Sequence, residues 1–405
     1  MSIERSVLHL DLDTFFISCE RLLNPQLENK PVLIGGITER GVVASCSYEA
    51  RAYGIYPMMQ MKMAHHLCPE AIMIRGNSMT YMKKSQEVTD IIRDSVPAFE
   101  KPSLDEFYID FTGMDRFFHS YKMAIELRKK IIDHTGLPLS FGLSTNKTVS
   151  KVAAGEAKPN NELKIDAGDE RRFLAPLKVT KIPMIGNATY DLLRQMGVQW
   201  IKTLQEMPVE MLENTFGKNG VKMWHKANGI DPTPIIPYQE RKSISTERTF
   251  EHDTTNIHKL RGIVTAMIEN LAFQLRRGQK LTSCVVIKIR FSDFNTCTQQ
   301  ARVPYTSADH ILIPKGMEIF EKLYQKRLLV RLVGVKFSHL VGGSYQIQLF
   351  DDTEKTIRLY QAMDHIRDKF GDRSVMRVYG MDAKTIGRYN PFTGEPPPLL
   401  ANRKT

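Results

Sequence analysis

Two acidic stretches have the residue types and spacing to do chemistry. Ser103-Leu104-Asp105-Glu106-Phe107-Tyr108-Ile109-Asp110 sets adjacent carboxylates at the head of an apolar run, just after Pro102. Proline is confined to edges and first residues of strands, so the run predicts a strand over Leu104 to Phe111 with both acids at its rim. Strict alternation would send Asp105 and Glu106 to opposite faces, and a shared role therefore requires a turn or bulge there. Far upstream, Val7-Leu8-His9-Leu10-Asp11-Leu12-Asp13 alternates Leu8, Leu10 and Leu12 with His9, Asp11 and Asp13, the period of a strand with one face in the core. Carboxylates held close repel, and burying them is costly unless a cation compensates. Asp11 and Asp13 then share the other face, and if the two strands are neighbours three carboxylates converge on one spot. That set could hold two Mg2+ ions, completed by substrate phosphates, for an in-line phosphoryl displacement. Taken alone, the Asp105-Glu106 pair reads as an ordinary surface acidic pair at a strand end.

The elements between and after these strands could position an anionic substrate. Thr14 to Leu23 predicts a helix capped by Asp13 or Thr14, with Phe16, Cys19 and Leu23 on one face. Gly41 to Ile55 reads as a β-branched strand, a run of small residues including Ser45, and a short helix from Ser47 that would offer free N–H groups to phosphate. Tyr48 and Arg51 lie one turn apart on it, and arginine supplies a fork suited to phosphate oxygens. Helices are predicted over 77–96 and 120–134, a strand over Pro138 to Ser144, and a small-residue helix from Asn146 to Ala157. Lys158 sits where Pro159 stops that helix, so its ammonium could reach a polyphosphate; a surface lysine is the plainer alternative. Strand, helix, acidic strand, helix, strand is the order of an antiparallel sheet backed by helices, an α+β arrangement.

At 405 residues the chain exceeds one ordinary core and predicts three or four domains. The 42% hydrophobic and 25% charged composition is globular. No apolar run reaches eighteen residues and Met1 to Arg5 lacks a signal-peptide pattern, so a cytoplasmic protein with no membrane partner is expected. Cys19, Cys46, Cys68, Cys284 and Cys297 form neither a disulfide framework nor a zinc-type pair. The net charge of +11 favours an anionic partner. Residues 241–341 carry 17 Lys and Arg against 8 Asp and Glu, a footprint suited to a phosphate backbone. Within them Cys284 to Phe291 and Leu329 to Phe337 alternate like strands, with Lys288, Arg290 and Arg331 on the polar side. Lys181 to Val198 reads as two short helices around a hairpin at Ile185-Gly186, able to grip one DNA phosphate through its N–H groups. Pro232, Pro234 and Pro237 mark a stiff linker. Beyond it, Gln346, Leu349 and Phe350 could plug a partner's apolar pocket; residues 353–370 are expected to be helical, and the Pro-rich end from Pro391 disordered.

Taken in order, His9-Leu10-Asp11-Leu12-Asp13-Thr14-Phe15-Phe16, Ser47-Tyr48-Glu49-Ala50-Arg51, Ser103 to Glu106, Asn146-Lys147 through Lys158-Pro159-Asn160 and Lys242-Ser243-Ile244 resemble the Y-family DNA polymerases, closest to the DNA polymerase IV (DinB) branch, from about Val7 to about Gly380. The resemblance implies a multidomain α+β right hand. Its parts would be a palm (1–19 and 77–166), small fingers (20–76), a helical helix-hairpin-helix thumb (167–232), a linker (233–242), an α/β little finger (243–341) and a C-terminal tail (342–405). It further implies that Asp11, Asp105 and Glu106, with the Leu12 carbonyl, bind two Mg2+ ions, with Mn2+ able to substitute. Phe16 would be a steric gate against ribonucleotides. Phe15, Phe16, Ser45, Tyr48, Arg51 and Lys158 would hold a deoxynucleoside triphosphate, and Ile185, Gly186, Lys242, Ser243, Lys288, Arg290 and Arg331 would meet primer-template DNA. Gln346, Leu349 and Phe350 would bind a replication sliding clamp. The implied activity is low-fidelity translesion synthesis by a monomer without proofreading, and the small residues of 41–47 would press only lightly on the nascent base pair. Three positions depart from the pattern: Met184 and Asn161 stand where glycine is usual, and Cys19 where a small apolar residue is usual. A metal-dependent glycosyltransferase would use Asp11-Leu12-Asp13 but leaves the basic segment unexplained, and a non-catalytic DNA-binding protein would make the acids structural.

Overall fold

The computed structural model describes residues 5–36, 38, 40–114, 119–325, 328–343, 353–371 and 374–380. The chain divides into two compact units after Gln239.

The first unit is built on β1 (Val7–Leu12). It continues through α1 (Phe15–Leu23), β2 (Val32–Gly35), β3 (Val43–Cys46), α2 (Tyr48–Ala52), α3 (Met61–Leu67) and β4 (Ile72–Ile74). Then come α4 (Ser78–Ser95), β5 (Phe99–Glu100), β6 (Glu106–Asp110), α5 (Ser120–Thr135), β7 (Leu139–Ser144), α6 (Lys147–Ala157) and β8 (Glu162–Lys164). The main sheet has the order β5-β6-β1-β7-β8, antiparallel except for the β7–β8 pair. Leu8 and Leu10 meet Ile109 and Phe107 on one side and Leu143 and Phe141 on the other, forming a core closed by α4 and α5 through Tyr81, Val88, Ile92, Ala124, Leu127 and Ile131. The opposite face of β1 is buried as well, for His9 is fully buried. α6 covers it, and Gly142 of β7 permits the approach: a Cβ there would meet the Ser150 carbonyl at 2.1 Å. Asn146 caps α6, accepting from the Val149 N–H at 3.0 Å.

A second sheet, β3-β2-β4, carries its own core of Leu33, Val43, Cys46, Ile55, Met59 and Met61. The remaining helices, α7 (Glu170–Leu174), α8 (Asn187–Gln195), α9 (Ile201–Glu206), α10 (Val209–Phe216) and α11 (Lys218–Ala227), enclose Leu174, Ile182, Leu193, Ile201, Leu204, Leu212 and Met223.

Several local expectations change. The acidic strand starts at Glu106 rather than Leu104, because Pro102 to Asp105 form a bend in which Ser103 Oγ accepts from the Glu106 N–H at 3.1 Å. Neither Asp13 nor Thr14 caps α1 with its side chain; Thr14 is left-handed (φ 41), and Leu23 is 63% exposed rather than in the core. The first helix of the expected helix-hairpin-helix is a single 3-10 turn, Val179–Lys181, since Pro183 has no N–H to continue it. The left-handed residue after Lys158-Pro159 is Asn160 (φ 48), not Asn161, whereas Met184 does adopt a glycine-like backbone (φ 89). The proline linker starts on the first unit: Arg5 donates to the carbonyls of Asp231 and Thr233, Thr148 donates to Asp231 at 2.6 Å, and the Ile236 N–H donates to Glu100 at 2.7 Å.

The second unit comprises β9 (Ser243–Thr254), α12 (Ile257–Arg277), β10 (Lys280–Phe291), β11 (Thr296–Thr306), α13 (Asp309–Leu323), β12 (Val330–Ser338), β13 (Val341–Gly342) and α14 (Thr353–Phe370). The sheet order is β11-β10-β12-β9, with β13 added beside β10. α12 and α13 pack on one face through Val264, Ile268, Leu271, Leu312 and Phe320. α14 is bound to α12 by buried Arg276, which donates to both Asp364 oxygens (2.6 and 2.9 Å) and to Asp309 at 2.8 Å. The turn Val378–Gly380 closes on α12 at Gly262, where a Cβ would meet the Tyr379 carbonyl at 2.5 Å. All five cysteines are free thiols.

Candidate active site

The register sets Asp11 directly opposite Glu106, and the Leu12 N–H donates to the Asp105 carbonyl at 2.9 Å. The Pro102–Asp105 bend thus brings Asp105 to the end of the β1–β6 ladder. All three carboxylates are engaged. Lys158 Nζ donates to Asp11 Oδ1 at 2.6 Å and lies 3.6 Å from Asp13 Oδ1; Lys151 Nζ donates to Glu106 Oε2 at 2.5 Å; Ser103 Oγ donates to Asp105 Oδ1 at 2.5 Å. Burial drives the Asp11 carboxyl up to about 6 despite Lys158, with Glu106 and Asp105 adding repulsion. Burial also opposes the charge of Glu106, but the adjacent His9 and Lys151 outweigh it and leave the carboxyl at about 2. Burial draws His9 below its ordinary value.

Among the described residues, no three His, Cys, Asp or Glu side chains stand in metal-ligating positions. Lysine ammoniums are bound where cations would go. The donor set itself suits hard divalent ions: three carboxylates and the backbone at Leu12, with burial and two like neighbours disfavouring the Asp11 charge, a cost that a cation would offset. The residues present therefore fit such a group.

Asp13 lies off the strand face it was expected to share with Asp11. It is 1% exposed, accepting from Ser140 Oγ at 2.8 Å and the Asn160 N–H at 2.5 Å, and so holds the turn that follows Lys158. Phe15 is buried, whereas Phe16 is half-buried and stacks on Tyr81 (centroids 4.6 Å apart, 21° between planes). The Tyr81 hydroxyl donates to Glu20 at 2.5 Å. In β3 and α2, Ser45 is half-buried opposite Ile34, Ser47 caps α2 by accepting from the Ala50 N–H at 3.3 Å, and the Arg51 guanidinium lies 4.9 Å from the Tyr48 ring centre.

Sequence reasoning missed His9, Tyr81 and Lys151. The lysine left a signal, since Lys147, Lys151 and Lys158 at i, i+4 and i+11 share a helical face. The helical period of 77–96 marks Tyr81 only as part of an apolar stripe with Val88, Ile91 and Ile92, and its stack on Phe16 joins α4 to α1.

Ile185 is a core residue, 8% exposed, so its side chain is unavailable to a ligand; Gly186 is exposed at the start of α8. In the second unit, the sheet face opposite α12 and α13 presents Lys288 and Arg290 together with Arg302 and Lys336, two residues the strand reading did not include. Arg331 lies an odd number of positions from Lys336, so alternation alone sets it off that face, and at the bulge that ends β12 it stacks over Phe294 at 4.5 Å. Lys288 is bound to Glu247 (2.9 and 3.2 Å), and Arg290 donates to Thr296 at 2.9 Å. Lys242 is exposed and Ser243 half-buried. Gln346, Leu349 and Phe350 lie outside the described residues.

Comparison with known proteins shows the family of the chain. The impB/mucB/samB family model matches residues 10–155, and the model of that family's C-terminal domain matches 241–349. The chain is 37% identical over 379 residues to DNA polymerase IV of Dehalococcoides mccartyi strain BAV1, covering 93% of this chain and 97% of that one. It belongs to the Y-family DNA polymerases, in the DNA polymerase IV branch. DNA polymerase IV of Desulfatibacillum aliphaticivorans is 34% identical, covering 92% of this chain and 96% of that one. A solved Y-family DNA polymerase chimera shares the fold, with a TM-score of 0.74 at 22% identity over 84% of this chain and all of that one. The Y-family protein described here is thus a DNA-directed DNA polymerase with a right-hand fold, and it binds primer-template DNA and deoxynucleoside triphosphates. No helix among its described residues is long and apolar enough to cross a membrane.

Proposed function

We propose that this polymerase extends a primer 3'-hydroxyl at the β1–β6 ladder end, using Asp11, Asp105, Glu106 and the Leu12 carbonyl to hold two divalent cations, Mg2+ by preference and Mn2+ as a substitute. The observation that carries the reading is the Asp11–Glu106 pairing with Asp105 bonded to the next rung. When bound, the cations neutralise charge on the phosphates and lower the pKa of the attacking hydroxyl. Arg51 and Tyr48 bind the triphosphate, with Ser45 and the backbone near Phe15. Lys158, which rests on Asp11, is within reach of the same phosphates. Asp13 holds the turn that orients Lys158. Phe16, backed by Tyr81, excludes a 2'-hydroxyl.

The boundaries given above for palm, fingers, thumb and little finger are proposed for this chain, in keeping with four separate apolar clusters among the described residues. Gly186 and the open sheet face of the second unit, Lys288, Arg290, Arg302 and Lys336, are proposed to meet the DNA backbone, with Lys242 and Ser243 beside them. Ile185 would contribute only its backbone, and Arg331 would act through the Phe294 end of the sheet. Translesion synthesis of low fidelity by a monomer, assisted by a sliding clamp bound at Gln346, Leu349 and Phe350, completes the proposal. Primer extension with Mg2+ and four deoxynucleotides tests it. Asp105→Asn is expected to abolish extension and leave DNA affinity largely intact, and full extension by that variant would refute the ligand assignment.

A further inference from the structure

The fingers sheet carries a strained residue that the fold does not require. Tyr56-Pro57-Met58-Met59 forms a turn in which the Met59 N–H donates to the Tyr56 carbonyl at 3.2 Å and Met58 has φ 74. Proline followed by a positive φ is the type II pattern, whose third position favours glycine because a Cβ is strained there. The same residue opens a bulge: the Met58 N–H donates to the Val43 carbonyl at 2.8 Å while the Val43 N–H donates to the Met59 carbonyl at 2.9 Å, so two residues oppose one. The left-handed first residue of such a bulge is again a glycine position. Met58 nevertheless places a long apolar side chain there, 75% exposed.

Its neighbours locate it. Val42 and Ala44 flank Val43 and are both exposed, and Val42 lies opposite Gln60. From their sequence, residues 41–47 form a surface without bulk, and the fold brings bulk to its edge from elsewhere in the chain. β3 leads directly into Ser45, Tyr48 and Arg51. Backbone strain combined with an exposed apolar side chain has no return in stability, since glycine would make the same turn relaxed, and this combination is typical of positions kept for a ligand.

We propose that Met58 is a specificity-determining residue: its side chain stands against the nascent base pair and limits how bulky a template base the site accepts. The inference rests on the reading in which β3 and α2 face the incoming nucleotide. Methionine suits the task, because its unbranched thioether yields to a normal pair yet fills the space an adduct would need. Apolar exclusion of this kind yields discrimination on the order of tenfold per displaced group.

The test is single-nucleotide insertion opposite unmodified guanine and opposite guanine bearing a polycyclic aromatic adduct, comparing wild type, Met58→Gly and Met58→Leu. Met58→Gly is expected to raise the adduct-to-unmodified ratio of kcat/KM about tenfold, with Tm unchanged or higher, while Met58→Leu keeps the wild-type ratio. A ratio unmoved by Met58→Gly overturns the proposal, whatever happens to Tm. Arg51→Ala serves as the control for the underlying reading. A raised nucleotide KM in Arg51→Ala with a flat Met58→Gly result removes only the role of Met58, whereas an unchanged KM removes the nucleotide-facing surface and the proposal with it.

Discussion

The stack of Phe16 on Tyr81 gives the proposed gate a measurable support. Tyr81→Leu removes the aromatic partner but keeps an apolar side chain of helix-forming type at that point in α4. An offset aromatic pair contributes about 0.5–1.5 kcal/mol beyond its buried area. If that energy holds the Phe16 ring under the sugar, its loss lowers selectivity for deoxy over ribo substrates by about twofold to about tenfold. Tyr81→Phe keeps the stack and loses only the hydroxyl bond to Glu20, so its selectivity stays within about twofold of wild type. The assay is kcat/KM for single insertions of a deoxynucleotide and its ribonucleotide, with Phe16→Ala marking complete loss of the gate. Unchanged selectivity in Tyr81→Leu, alongside a large loss in Phe16→Ala, would show that the ring is held by something other than this stack.

Other measurements follow from the same geometry. Glu247→Gln releases Lys288 and removes a negative charge from the basic sheet face, so DNA should bind more tightly, with a salt slope steeper by about one phosphate in an anisotropy titration; an unaltered slope would place the DNA elsewhere. Burial, and then Arg93, draw Lys101 down to about 8, beside the Phe107 ring and bonded to Thr89. A lysine lowered on folding opposes the fold while charged, so below pH 8 Lys101→Met should raise Tm. The advantage should shrink as pH climbs from about 8 toward 10.5, where the folded wild type sheds the proton before its unfolded chain does. Asp364→Ala leaves buried Arg276 with Asp309 and the Ser307 carbonyl. It should destabilise the second unit by roughly 1–3 kcal/mol in denaturant unfolding, short of the cost of stripping a buried ion of every partner.

The acidic strand and β1 are legible in the sequence because alternation and a leading proline are local signals, and so are the limits of α4, α5, α6 and α14. Partners brought by long-range contact are less legible. Lys151 meets Glu106 only because Gly142 lets α6 lie close over β7, and nothing near Tyr81 in sequence announces Phe16. Met58 falls outside the stretch whose small side chains suggest an open surface, and a single bulge carries it there. Ile185 reads as part of a hairpin yet is drawn inward by Ile182 and Leu193. Arg331 alternates with Val333 and Val335 rather than with Lys336, so its charge, not its phase, suggests the polar side. Irregular backbone, which carries no period, accounts for most of these differences.

Gly262 and Gly380 make the far end of the second unit a wall rather than an appendage. A chain cut at Gly343 would lose the segment that lies within Cβ distance of mid-α12, uncover Ala266 and Phe273, and strand the Arg276 guanidinium without Asp364. Shortened versions made to simplify handling would be sticky and loosely built. Any loss of the proposed clamp response in them would then report a damaged scaffold as much as the loss of the proposed docking residues.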